Sequence, residues 1–193
     1  SSAASDVYKR QPDWLYRTME SIEKEGSDYG KIDLGKGKKV MVEFVSANPT
    51  GPMHMGNARG GALGDCLASV LEYAGYDVTR EFYINDAGNQ IEKFGKSLSA
   101  RYIQQLKGED AVEFPEDGYQ GGDITEHAKE FIKLYGDKYL DCGEDERKQA
   151  LIDYALEKNI SALKTDLEKY RINYDVWFRD CLLYTSPSPR DTR

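Results

Sequence analysis

The segment from Lys39 to Gly75 constrains the fold of this chain most, because its apolar pattern switches from strand to helix across one tight turn. Lys39 to Val45, KVMVEFV, is a β-branched and aromatic run whose continuous apolarity predicts a strand covered on both faces, with Glu43 the lone charge inside it. SANPTGPMHMGN, Ser46 to Asn57, comes next as the turn. The chain then continues ARGGALGDCLASVLEYAG, where Leu63, Leu67, Val70, Leu71 and Ala74 recur at helical spacing and Gly75 can cap the end. The predicted order is strand, turn, helix.

Pro49, Gly51 and Pro52 hold the turn in a tight extended path that delivers His54 and Gly56 to the helix N-terminus. Unpaired backbone N–H groups and the positive end of the helix dipole favour an anion at such a place. His54 adds a side-chain donor suited to charge developing on a phosphoryl oxygen, and Gly56 leaves room for a flat ligand. Gly60, Gly61 and Gly64 each cost a helix roughly 1 kcal/mol relative to Ala, which points to a face packed closely on the strand or approached by a ligand. Glu43 reads either as a solvent-facing edge residue or as a buried carboxylate that needs a cationic partner; its apolar neighbours favour the second.

Val78 to Ile84, VTREFYI, predicts a second strand and so a strand, helix, strand unit of the right-handed crossover kind. Asn85 or Asp86 can cap the next helix, which carries Ile91, Phe94, Leu98 and Tyr102 on one stripe. Asn85, Asp86, Asn89 and Gln90 emerge at the carboxyl end of that strand, where open parallel sheets place ligands, and are assigned a supporting role. Gly108 to Gly122 is an acidic loop read as a solvated connection. Phe131, Leu134, Tyr135 and Tyr139 predict a short helix, and Leu151, Tyr154, Ala155, Leu163, Leu167 and Tyr170 one or two longer ones. Asn173 to Phe178, NYDVWF, returns to strand character. His127 reads as a surface residue.

No apolar run approaches the roughly 20 residues that span a bilayer, so no membrane role is expected. Cys66, Cys142 and Cys181 are odd in number and form no CxxC pair, which favours a reduced, cytoplasmic setting and no metal site. A formal charge of −8 argues against a strong grip on nucleic acid by this piece alone. Residues 1–11 and 181–193 turn to Ser, Pro and Arg without periodicity and are similar to translated sequencing-adapter sequence; they are read as non-native ends, ordinary polar termini being the alternative.

The turn resembles the His-x-Gly-His nucleotide-binding signature of class I aminoacyl-tRNA synthetases. Its flanks, Glu43 with Ser46, Ala47, Asn48, Pro49, Thr50 and Gly51, and the later YINDAGNQ from Tyr83 to Gln90, resemble arginyl-tRNA synthetases in particular. NYDVWF is similar to that family too. One departure stands out: the family's second histidine is Asn57 here, a neutral amide that can donate a hydrogen bond but cannot become cationic.

The resemblance implies an α/β fold, the first half of a Rossmann-type nucleotide-binding catalytic domain with a mainly helical insertion. Residues 12–38 would be a partial N-terminal segment and linker, 39–107 the half-domain and 108–180 the insertion region. It implies an arginine-tRNA ligase using ATP with Mg2+, acting on arginine and tRNA(Arg), of unassigned oligomeric state. His54 and Asn57 would be catalytic, His54, Gly56 and Asn57 would hold ATP, and Glu43, Ser46, Ala47 and Asn48 would hold arginine. The family's later half, with the loop related to Lys-Met-Ser-Lys-Ser and the anticodon-binding domain, has no counterpart in these residues, so the chain reads as a fragment inactive by itself. The alternatives are a non-catalytic helical interaction module and another His-x-Gly nucleotidyltransferase.

Overall fold

The computed structural model describes residues 12–180, and both proposed non-native ends lie outside them. Within that range, residues 12–40 with 69–78 form one unit and 41–68 with 79–180 another. The helices are α1 (Pro12–Glu25), α2 (Met55–Tyr73), α3 (Asn89–Lys107), α4 (Gly122–Tyr135) and α5 (Glu144–Lys169); the strands are β1 (Lys39–Glu43), β2 (Asp77–Ile84) and β3 (Val176–Arg179). The strands form one sheet in the order β1-β2-β3. Glu81 to Ile84 pair in parallel with Val176 to Arg179.

In the first unit, α2 ends on Gly75 at φ 85°, a conformation that costs glycine nothing. Its N–H bonds Glu72 O, and Tyr76 N–H reaches back to Leu71 O, the paired reversal predicted for Gly75. Ile32 N–H and Gly35 N–H then take the carbonyls of Tyr73 and Ala74. Helix α1 buries no residue.

In the second unit, α2 lies on the sheet in a way its large residues do not suggest. Gly61, Gly64 and Ala68 are the buried positions, while Leu63, Leu67 and Val70 are 73, 51 and 66% exposed. A Cβ on Gly64 would fall 2.2 Å from Phe44 Cγ, and one on Gly61 2.8 Å from Ile172 Cδ1. The small-residue face therefore sits inward because only it allows the backbone so close, as the glycines predict, and the apolar stripe expected inward faces out. Strand β1 is likewise covered on one face only: Val42 and Phe44 are buried, Met41 and Glu43 exposed. That corrects both the two-sided strand and the buried Glu43. Phe44, Phe82, Tyr174 and Trp177 stack together at ring distances of 4.5 to 5.3 Å on the covered side.

The second core is helical. Ile91, Phe94, Leu98 and Tyr102 face Ile124, Ala128 and Phe131 of α4 and Leu151, Ile152 and Ala155 of α5, so the predicted stripe is core. Of the one or two longer helices expected from Leu151 to Tyr170, the structure has one, continuous over 26 residues. Helix α3 starts from Gly88 without a side-chain cap. Asp86, expected as a cap, instead pairs with Arg179 Nε at 2.6 Å. The acidic loop is more than a connection: Tyr119 N–H bonds the buried Ser97 Oγ at 2.9 Å.

Candidate active site

Immediately after β1 the backbone bends sharply. Val45 and Ser46 take φ 65° and 43°, and Ser46 N–H closes on Phe44 O at 2.9 Å, a three-residue turn strained for a β-branched residue. Side chains secure the bend. Ser46 Oγ donates to Glu43 Oε1 at 2.7 Å and accepts from Tyr83 N–H at 3.2 Å, tying the turn to β2. Its single proton is thus used, and toward a ligand it retains acceptor capacity, suited to an ammonium group.

At the other end of the loop His54 is the N-cap of α2. Its Nδ1 accepts from Gly56 N–H at 3.1 Å, while Asn57 Oδ1, three residues on, reaches back to His54 N–H at 3.0 Å. This is a reciprocal capping box built from His and Asn. With Nδ1 accepting, the ring's proton sits on Nε2, and with Asn57 Oδ1 engaged, its Nδ2 is the group left to donate. The expected row of open backbone amides is mostly closed: Gly56 and Asn57 N–H are both taken, and Met55 N–H alone of the first turn has no partner among the described residues. An anion here would meet the helix dipole and two side-chain donors instead. Gly56 also differs from expectation. A Cβ there would stand 2.9 Å from His54 Cε1, so the room it leaves is filled by the imidazole rather than by a ligand.

Ser46, Ala47, Asn48, His54 and Asn57 line one cavity of about 500 Å³. Glu43 is not on its wall and connects to it through Ser46; Gly56 lies behind His54. Sequence reading missed Tyr119 and Asp123, which close the cavity from the loop before α4 and from that helix's first turn. Asp123 is the only carboxylate on this wall among the described residues. The run GYQGGD carries no periodicity that would have singled either out. His54 and Asn57 also border a more apolar cavity of about 650 Å³ with Met53, Met55, Leu167 and Tyr170. Among the described residues no group of three His, Cys, Asp or Glu side chains is arranged to hold a metal ion, and no helix is long and apolar enough to cross a membrane.

A parallel sheet that releases a glycine-bearing turn into a helix N-terminus defines an α/β domain of the Rossmann-like class. Residues 18–178 match the family described as tRNA synthetases class I (R), catalytic domain, and the chain belongs to that family. It is 64% identical over 179 residues to an arginine–tRNA ligase of Ruminiclostridium cellulolyticum, covering 93% of this chain and 32% of the relative. It is 65% identical over 173 residues to one of Caldanaerobacter subterraneus, covering 90% and 30%. A crystal structure described as an arginyl-tRNA synthetase of Campylobacter jejuni superposes with a TM-score of 0.77 at 32% identity, covering 89% of this chain and 37% of the other. The chain thus spans about a third of the length of the curated relatives it matches.

Proposed function

We propose that this chain is part of an arginine-tRNA ligase that activates arginine with ATP and passes the arginyl group to tRNA(Arg). The observation that carries this reading is the convergence of Ser46, Ala47, Asn48, His54 and Asn57 on one cavity at the N-terminus of α2. In the first step a carboxylate oxygen of arginine attacks the α-phosphorus of ATP. The bond from that phosphorus to the bridging oxygen breaks, and pyrophosphate leaves with the electron pair. In the second a terminal ribose hydroxyl of the tRNA attacks the activated carbonyl, losing its proton as AMP departs.

Neither step needs a side-chain nucleophile, so the protein's task is to orient the reactants and stabilise charge on the phosphoryl oxygens. His54 Nε2–H and Asn57 Nδ2 are the donors for that charge, with Gly56 holding the His54 ring in place. The apolar cavity beside them suits the flat face of a purine. Ser46 accepts from the arginine ammonium, while Ala47 and Asn48 bound its backbone. Glu43 and Asp123 supply negative charge for a cationic amino acid. Among the described residues no group of three His, Cys, Asp or Glu side chains is arranged to hold the magnesium that the resemblance implies. A cytoplasmic setting goes with this reading.

The test is arginine-dependent exchange of pyrophosphate into ATP by the longer chain that contains these residues. Exchange with arginine is expected, and Glu43→Gln should raise the KM for arginine. Exchange that ignores arginine would overturn the reading, and an unchanged KM would remove Glu43 from it. The 193 residues alone should be inactive, since they span about a third of the relatives.

A further inference from the structure

The loop that carries Ala47 and Asn48 is held from behind by a residue of the helical region. Asn159, on α5, is 8% exposed. Its Nδ2 donates to Pro49 O at 2.8 Å, and its Oδ1 lies 2.8 Å from His127 Nε2 on α4. The orientation is determined: a carbonyl only accepts, so the amide nitrogen faces Pro49, its oxygen faces His127, and His127 Nε2 carries the proton. His127 is therefore a half-buried hydrogen-bonding residue rather than the surface residue its sequence context predicts.

From Ala47 to Met53 this is the only hydrogen bond made by the loop among the described residues. The loop leaves β1 through the left-handed Val45 and Ser46, and its two prolines lack N–H groups, so regular backbone pairing does not hold its path. The Pro49 side chain is fully buried and Thr50 is 8% exposed.

We propose that Asn159 is a positioning residue for the signature loop, with His127 locking its amide. Helices α4 and α5 then set where Ala47 and Asn48 stand. Which substrate groups are positioned rests on the function proposed above; the relay itself does not.

The test uses Asn159→Leu, which keeps side-chain bulk and removes both bonds, with His127→Ala and His127→Gln, the last restoring an N–H donor. Hydrogen exchange on this chain should show the amides of the buried Thr50 and the half-buried Gly51, protected by burial, exchanging about ten-fold faster in Asn159→Leu while amides of α3 hold their wild-type rates. His127→Ala should move the same amides and His127→Gln should return them. In the longer chain the KM for arginine should rise about ten-fold in Asn159→Leu and recover between His127→Ala and His127→Gln. A residue that only stabilised the helices would speed α3 exchange and leave KM alone. Wild-type loop exchange in Asn159→Leu and His127→Ala overturns the proposal. If Asn159→Leu does not fold, the His127 pair decides. A longer wild-type chain without arginine-dependent exchange sinks the functional reading, and the loop amides still decide the positioning.

Discussion

Two glycines one turn apart on α2 should respond to the same substitution with opposite signs. At Gly64 a Cβ would lie 2.2 Å from Phe44 Cγ and 2.4 Å from Phe44 Cβ. These atoms are at the root of the side chain, so rotating the ring cannot clear them; β1 itself must retreat by about 1.2 Å to restore ordinary contact. Phe44 is 8% exposed, its ring lies 4.6 Å from that of Tyr174, and the Tyr174 hydroxyl donates to Phe44 O at 3.1 Å, so retreat disturbs the sheet core. Overpacking costs about 1–3 kcal/mol, a 2.2 Å clash at the root of a side chain standing in the upper part of that range at about 2–3, and the gain in helix propensity returns about 1, leaving Gly64→Ala destabilised by about 1–2 kcal/mol. Gly60 has nothing within 4 Å of its would-be Cβ, so only the propensity gain remains and Gly60→Ala should stabilise by about 0.5–1 kcal/mol. At a chain of this size the thermal midpoint should fall by about 2–8 °C for Gly64→Ala and rise by about 1–4 °C for Gly60→Ala. Thermal unfolding followed by far-UV circular dichroism checks both. If Gly64→Ala is as benign as Gly60→Ala, the close packing of α2 on Phe44 is wrong.

Gly56→Ala should push the His54 ring off Gly56 N–H and lower pyrophosphate exchange in the longer chain about ten-fold or more with little change in the thermal midpoint; unchanged exchange would detach the ring's position from activity. Asn57→His should keep activity, because an imidazole nitrogen can cap His54 N–H as Asn57 Oδ1 does. Asn57→Ala should lose activity and about 0.5–2 kcal/mol of stability, and an unaffected Ala variant would contradict the donor role. Stability should also depend on pH through Lys148 and Glu92, 2.8 Å apart. The hydrogen bond from Lys148 holds the Glu92 carboxyl below its usual 4.5, so its contribution is present above that value and is lost as pH falls through the lower folded value. Hydrogen bonds to Glu92 and then Asp145 raise the Lys148 ammonium above 10.5, so that contribution is complete below 10.5 and is lost as pH rises through the higher folded value. Urea midpoints across pH for the wild type and Glu92→Gln should diverge most above pH 4.5 and converge in acid; a constant difference would refute the coupling.

How far the sequence could be read depended on whether its pattern pointed one way. Ile91, Phe94, Leu98 and Tyr102 fall on one stripe of an otherwise polar helix, and all four are core. Helix α2 offered two candidate faces, the large stripe of Leu63, Leu67 and Val70 and the small one of Gly61, Gly64 and Ala68. Periodicity weighs residues by hydrophobicity and chose the first. Packing against a strand rewards close approach and chose the second. His127 and Asn159 were illegible for another reason: the partner that defines each lies tens of residues away, and nothing in either one's own neighbourhood encodes it.

The polar atoms around the cavity divide into those spent on holding the loop and those left for a ligand. Ser46 O–H, His54 Nδ1, Asn57 Oδ1 and both ends of the Asn159 amide belong to the first group. His54 Nε2–H and Asn57 Nδ2 belong to the second. This division accounts for the departure at Asn57. An acceptor three residues beyond His54 must take the His54 N–H, a task an amide oxygen and an imidazole nitrogen can share because both stand one atom beyond Cγ. In either case outward N–H donation remains, two protons on the amide nitrogen and one on the imidazole, so the replacement preserves the cap and a donor and gives up only the option of a positive charge at that position.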